Sequence, residues 1–320
     1  MKLLFFLLFL TVSKSLSQQY SCPSKEDIKP CTCSTGTLPK PVIFCNGLSS
    51  IEQLLRATKG MENSKFSDFF LEKSNLSALP SDIFRDIEIQ NLELSFTKLN
   101  ALSESLNRPP FLGLEYSLES LKITKAFTND TAPLMRLSLS HLKKLKTLYL
   151  IGNTLPVIGN DWFESGPYNL WELHLLDTST KNIGSHAFNA LQELRTFRLT
   201  GGHITDVTRD MFSSPAYHLE RLDFSNNRIA SLPDNIFSKM PSLQKIYLEN
   251  NALTTISEVV FAQTWSQLST LSLYGNPLKC DKDIRWIYKY RMPEYIQGNC
   301  AAPENLIGRT LVTLSLADFD

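Results

Sequence analysis

Apolar residues return along this chain in one fixed order. From Phe66 to about Leu278 the order is read nine times: an apolar residue, a second three positions on, a third two further, often an asparagine, then another apolar residue. The clearest copy starts at Leu219 and continues through Leu222, Phe224, Asn227, Ile229, Leu232, Ile236 and Phe237. The next starts 24 residues later at Leu243, with Ile246, Leu248, Asn251, Leu253, Ile256 and Phe261. A unit of this size covers only part of its own apolar face. Neighbours must stack to bury it, so the period predicts a solenoid.

The repeats start at Phe66, Ile89, Leu118, Leu145, Leu170, Leu194, Leu219, Leu243 and Leu268. Spacing is 24 or 25 from Leu145 onward, and the earlier gaps are 23, 29 and 27. The extra length falls around Asn107 to Pro110 and Thr128 to Met135, where longer loops are expected. Inside each unit a stretch such as Leu222-Asp223-Phe224 alternates apolar and polar, which predicts a short strand with its apolar side inward. Successive strands are expected in parallel, about 4.8 Å apart, along one concave wall. The asparagine at the ninth position (Asn153, Asn227, Asn251, Asn276) can hydrogen-bond backbone groups where the chain leaves the strand. The later phenylalanines, Phe84, Phe163, Phe188, Phe212, Phe237 and Phe261, should fill the core from the convex side.

The same alternation names the outward positions. The middle row runs Phe70, Glu93, Lys122, Tyr149, His174, Arg198, Asp223, Tyr247 and Ser272. The next runs Glu72, Ser95, Thr124, Ile151, Leu176, Thr200, Ser225, Glu249 and Tyr274. Tyr149, Ile151 and Leu176 are expected as neighbours in an exposed apolar patch edged by His174 and Arg198. Aromatic and aliphatic groups beside arginine suit a protein-binding hot spot. Tyr149, Ile151, His174, Leu176, Arg198 and Tyr247 are therefore the candidate partner-binding residues. Arg198 and Asp223 can equally satisfy one another across strands. The reading depends on register, because a slip of one residue turns every one of these side chains inward.

Charge narrows the partners. The 320 residues carry 32 basic and 32 acidic side chains, a net charge near zero, so bulk electrostatics favours neither nucleic acid nor an anionic membrane. Lys2 precedes an apolar run from Leu3 to Val12, followed by Ser13, Ser15 and Ser17. This has the form of a secretory signal peptide and is shorter than the roughly 20 residues that span a bilayer. Cleavage is expected before Gln18, giving segment 1–17 as signal. No later segment is apolar enough to span a membrane, and the acidic end from Leu314 to Asp320 does not read as a lipid-anchor signal. The mature chain is expected to be soluble and secreted.

Six cysteines fit that compartment. Cys22, Cys31, Cys33 and Cys45 lie at one end, Cys280 and Cys300 at the other. A Cys-x-Cys inside such a cluster also suits zinc, but there is no paired Cys-x-x-Cys and no nearby histidine, so disulfides are the better reading. His141, His174, His186, His203 and His218 make no metal-spaced pair. There is no glycine-rich phosphate loop and no Gly-x-Ser-x-Gly elbow. A shallow wall gives catalysis little of the water-excluded concavity it needs, so the chain is read as non-catalytic, with no cofactor and no metal. Two glycosylation sequons, Asn75-Leu76-Ser77 and Asn129-Asp130-Thr131, are available on a secretory route.

A solenoid has two raw ends, each exposing an apolar layer and a strand edge, and the cysteine clusters sit where caps are needed. Cys22-Pro23, Cys31-Thr32-Cys33 and Cys45 resemble the amino-terminal cap of secreted leucine-rich-repeat proteins, which implies pairs Cys22–Cys33 and Cys31–Cys45. Asn276-Pro277-Leu278-Lys279-Cys280, Trp286, Cys300-Ala301-Ala302-Pro303 and Leu306-Ile307-Gly308 resemble the matching carboxy-terminal cap. That cap usually has four cysteines. Here Lys282 stands where the second is expected and no fourth follows, which leaves a single Cys280–Cys300 link. The resemblance implies an α/β fold: a leucine-rich-repeat solenoid with a curved parallel β-sheet on the concave face, an irregular convex side and disulfide-bonded caps. The divisions are 1–17 signal, 18–65 amino-terminal cap, 66–275 about nine repeats and 276–320 carboxy-terminal cap.

The stretch from Cys22 to Cys33 is narrower and resembles a secreted arthropod leucine-rich-repeat family. In size, cap layout and irregular early repeats the chain is similar to members of that family that serve as the non-catalytic subunits of shrimp luciferase. The resemblance implies a secreted accessory subunit in a hetero-oligomer with a small catalytic luciferase subunit. It supplies no site motif, and no residue here takes a role in luciferin chemistry from it. The other reading from the residues is a secreted adhesion or recognition protein that binds another protein or a glycan on the same wall.

Overall fold

Each repeat contributes one strand, and the computed structural model lays these strands side by side in a single 12-stranded sheet. The structure describes residues 20–36, 39–105, 107–127 and 137–319. The nine repeat strands are Lys65–Glu72, Glu88–Ser95, Ser120–Thr124, Thr147–Ile151, Glu172–Leu176, Thr196–Thr200, Arg221–Asp223, Lys245–Tyr247 and Thr270–Ser272. All are parallel to their neighbours. The first two are eight residues long and the last three only three, so the irregular early spacing accompanies a deeper sheet.

The caps extend this sheet rather than merely covering it, which the sequence reading did not foresee. Val42–Asn46 pairs in parallel with the first repeat, and Thr32–Ser34 closes that edge by running antiparallel. Tyr295–Gln297 adds a strand at the far end. Thr32–Ser34 is only three residues long, and so short an edge strand offers another chain little backbone to pair with.

The core is a continuous column. All nine repeat-start residues are buried, from Phe66 to Leu268. Behind them run the convex-side phenylalanines: Phe163 meets Phe188 at 5.9 Å, Phe188 meets Phe212 at 5.9 Å, and Phe237 meets Phe261 at 5.3 Å between ring centroids. Each such buried side chain stabilises the fold by about 1.5–3 kcal/mol. Among the described residues the convex side is made of turns, short 3-10 segments, one four-residue helix, Glu258–Phe261, and a two-stranded pairing of Val157–Ile158 with Asn182–Ile183.

The ninth-position asparagines tie successive coils together. Asn251 accepts from the backbone N–H of Ile229 at 3.0 Å and donates to the carbonyls of Phe224 and Leu248 at 3.0 and 3.1 Å. Asn276, Asn227 and Asn153 make the equivalent bonds. A smaller residue takes the position in the other repeats; Ser74, for example, accepts from the N–H of Leu48 at 3.1 Å.

At the amino-terminal end, bonds Cys22–Cys33 and Cys31–Cys45 hold a loop against the helix Ile51–Lys59. Glu52 in the first turn and Arg56 and Lys59 in the last suit the helix dipole, and Leu54 and Ala57 face the core. The helix stops at Gly60, where a Cβ would lie 2.4 Å from the carbonyl oxygen of Asp27. At the other end Cys280 bonds Cys300. The Trp286 indole N–H donates to the Ile256 carbonyl at 2.7 Å and pins that cap to the last coils.

Candidate functional site

The pairing register decides whether the outward rows meet as predicted. It aligns Lys122 with Tyr149, Tyr149 with His174, His174 with Arg198, Arg198 with Asp223, and Asp223 with Tyr247. Ile151 lies beside Leu176, and Leu176 beside Thr200. Both rows are therefore continuous through the middle of the sheet, and the inward alternative of a one-residue slip does not arise.

How far these side chains reach solvent differs from expectation. Tyr149, Ile151, Leu176, Arg198 and Tyr247 are half-buried rather than exposed, and His174 is buried, its side chain only 7% accessible. The cause is the strand spacing, which lets neighbouring side chains cover one another. Tyr149 and His174 stack with ring centroids 4.3 Å apart. Tyr149 donates its hydroxyl to a Glu172 carboxylate oxygen at 3.0 Å, and His174 Nε2 sits 3.1 Å from the same oxygen. Burial, then the charge of Glu172, pushes the Tyr149 phenol up to about 12. Burial also holds His174 below the ordinary imidazole value, against the hydrogen bond to Glu172.

Next along the face, Asp223 joins two arginines. Its Oδ2 accepts from Arg198 Nε at 3.0 Å and from Arg221 at 3.3 Å, while its Oδ1 holds the N–H of Ser225 at 3.1 Å. The Arg221 guanidinium lies 4.1 Å from the centre of the Tyr247 ring. Arg198 with Asp223 is thus a cross-strand pair. The result is one strip, Tyr149–His174–Glu172 followed by Arg198–Asp223–Arg221–Tyr247, whose groups already hold one another in place. Such a surface loses little side-chain freedom when a partner lands on it.

Glu172 and Arg221 were not among the sequence candidates. Both lie two residues before a middle-row position on their own strands, His174 and Asp223, so the same alternation that gave that row also marks them. A second outward aromatic pair sits at the amino-terminal end of the face, where Phe44 stacks on Phe70 at 5.0 Å with planes 9° apart. Phe70 was in the predicted row, but Phe44 belongs to a cap strand and was not.

Asn75 is exposed, with its backbone N–H bonded to the Leu48 carbonyl. Asn129 and the segment 1–17 lie outside the described residues. His141, His174, His186, His203 and His218 stay dispersed, and among the described residues no group of three metal-ligating side chains converges. No helix among them is long and apolar enough to cross a membrane.

Residues 217–278 match the leucine rich repeat family model. Comparison with curated proteins finds no significant match. Among solved structures the chain is similar to TLR13 in the crystal structure of the TLR13–ssRNA13 complex, with 24% identity over 72% of this chain and a TM-score of 0.63. It spans 31% of that protein's length, and at this identity the likeness speaks to fold alone. It is also similar to human 5T4 (Wnt-activated inhibitory factor 1, trophoblast glycoprotein). There the identity is 25%, over 78% of this chain and 93% of that one, with a TM-score of 0.58. The fold is that of a leucine-rich-repeat solenoid.

Proposed function

We propose that this leucine-rich-repeat chain is a non-catalytic recognition protein that binds another polypeptide across its sheet face. The observation that carries the reading is the strip from Tyr149 to Tyr247. Two aromatic rings, two aliphatic side chains and two arginines meet there in register and are held by their neighbours. Interfaces draw most of their energy from aromatic and arginine side chains of this kind. Arg198 and Arg221 are both committed to Asp223 and the net charge is near zero, so a phosphate backbone is the poorer fit.

The finer reading is that the chain is secreted and stabilises the small catalytic subunit of a luciferase as its accessory subunit. Three disulfides suit an oxidising compartment, and exposed Asn75 suits a glycan. The role itself rests on the resemblance to the non-catalytic subunit of Oplophorus-luciferin 2-monooxygenase. On this reading the partner performs the oxidation. The 5T4 likeness, which spans nearly all of that protein, favours the alternative of a recognition or adhesion protein that binds another protein or a glycan.

Affinity purification of the native secreted protein, followed by mass spectrometry, separates the two. A co-purifying small polypeptide that emits light with a coelenterazine-type luciferin, while the isolated chain stays dark, supports the accessory subunit. Capture of a cell-surface protein or a glycan without such a polypeptide supports the alternative. Light from the isolated chain overturns both.

A further inference from the structure

A cavity of about 560 Å³ opens between the last two repeats and the carboxy-terminal cap. It is separate from the strip described above, because none of its lining residues belongs to a strand. Its volume is that of a small-molecule site. We propose that it binds an organic cation carried on an apolar stem.

The wall supplies the apolar half. Trp265 and Trp286, each 4% exposed, meet edge to face at 4.6 Å, and the bond from Trp286 to the Ile256 carbonyl fixes the pair. Tyr290, 55% exposed and 6.3 Å from Trp286, carries the aromatic lining out to the mouth. The exposed face of Tyr290 at the mouth favours a cation over an anion, since an aromatic ring face is electron-rich.

The rim supplies the polar half. Glu258, Glu294 and Arg291 are exposed there, and among the described residues none of the three has an ion pair. Tyr290 donates its hydroxyl to Glu258 at 3.4 Å, which turns this carboxylate toward the aromatic lining. Two carboxylates against one guanidinium leave the mouth net negative. An ammonium or guanidinium group meets the carboxylates while its stem lies along Tyr290 and Met292, which line the cavity in front of the buried indoles; a carboxylate of the same shape meets repulsion at the same place.

Titration of the full chain with phenethylammonium tests this, read by tryptophan fluorescence and calorimetry. The isosteres 2-phenylethanol and 3-phenylpropionate serve as controls. The amine should bind saturably and at least about tenfold more tightly than the alcohol, with the acid weakest. Glu258→Gln and Glu294→Gln should each weaken the amine severalfold without moving the urea midpoint of unfolding. The methylamide of Nα-acetyl-lysine, compared with n-butylammonium as the free amine of the same stem, identifies the source of the cation. Binding tighter than the free amine assigns a polypeptide partner, and weaker binding assigns a small molecule. Equal binding of amine and alcohol, preference for the acid, or no saturation by about 10 mM amine overturns the proposal.

Discussion

Tyr149 and His174, in register on adjacent strands, stack 4.3 Å apart with their planes 6° from parallel, and both reach the same oxygen of Glu172. The three side chains form one unit. The stack is worth about 0.5–1.5 kcal/mol beyond its buried area, and the shared carboxylate fixes both rings against the sheet.

This unit makes stability depend on pH. His174 is faced by Tyr149, Glu172, Arg198 and Arg221; burial is the main cause of its lowered pKa, Glu172 opposes it, and the arginines reinforce it. Burial lowers His141 as well. A histidine depressed in the folded state binds fewer protons there than in the unfolded chain. Its contribution is therefore complete above the ordinary value of 6.5 and is lost as pH falls below it toward the folded value. Urea midpoints from pH 8 to 5 should fall below about pH 6.5, and His174→Phe should flatten part of the fall. An unchanged slope in the variant contradicts this assignment.

Asn251 tests the ladder that joins the coils. Asn251→Ala leaves the Ile229 N–H and the carbonyls of Phe224 and Leu248 without their amide partner. The expected cost is about 2–4 kcal/mol in equilibrium unfolding. Asn251→Asp should fare no better, because a carboxylate can accept from Ile229 but turns a second acceptor toward the two carbonyls. Wild-type stability in the aspartate variant would show that only the accepting half of the amide matters.

Arg209 is a buried cation held by carbonyls. It is 4% exposed and donates to the backbone of Ser238 at 2.6 Å, Ser213 at 2.9 Å, Phe212 at 3.3 Å and Lys239 at 3.4 Å. Arg209→Met removes every one of these donors and should cost about 3 kcal/mol or more. Arg209→Lys should recover only part, since an ammonium lacks the planar fork. Denaturant titration of both variants reads the difference, and full recovery by lysine would contradict it.

The single bridge of the carboxy-terminal cap closes a 20-residue separation. Replacing Cys280 and Cys300 together by serine should lower stability by about 3 kcal/mol on the loop-entropy estimate. Hydrogen exchange should rise first in the Tyr295–Gln297 strand, the part of the sheet that this bridge anchors. Uniform exchange across all strands would mean that the cap does not open as its own unit.

The repeat made much of this readable in advance. A period of 24 or 25 combined with alternation aligned Tyr149 with His174 and Ile151 with Leu176, because any other register puts leucines outside. Depth was not readable. Alternation says which way His174 points but not that Tyr149 on one strand and Arg198 on the other cover it. Arg209 was not readable because one polar residue in a short 3-10 segment carries no periodic signal; only the folded carbonyls of Ser238 and Lys239 explain it. The cap strand with Phe44 and the cavity at Trp265 and Trp286 arise from contacts between segments that share no repeat.

The most direct test of the sheet face as a partner surface is the affinity of the purified native partner for Ile151→Glu combined with Leu176→Glu. The urea midpoint of the double variant serves as the check on folding. Secretion and stability should be retained while binding weakens at least about tenfold, because two half-buried aliphatic contacts beside Tyr149 and His174 become charged. Unchanged affinity in a folded, secreted double variant would contradict the account and move recognition away from this face.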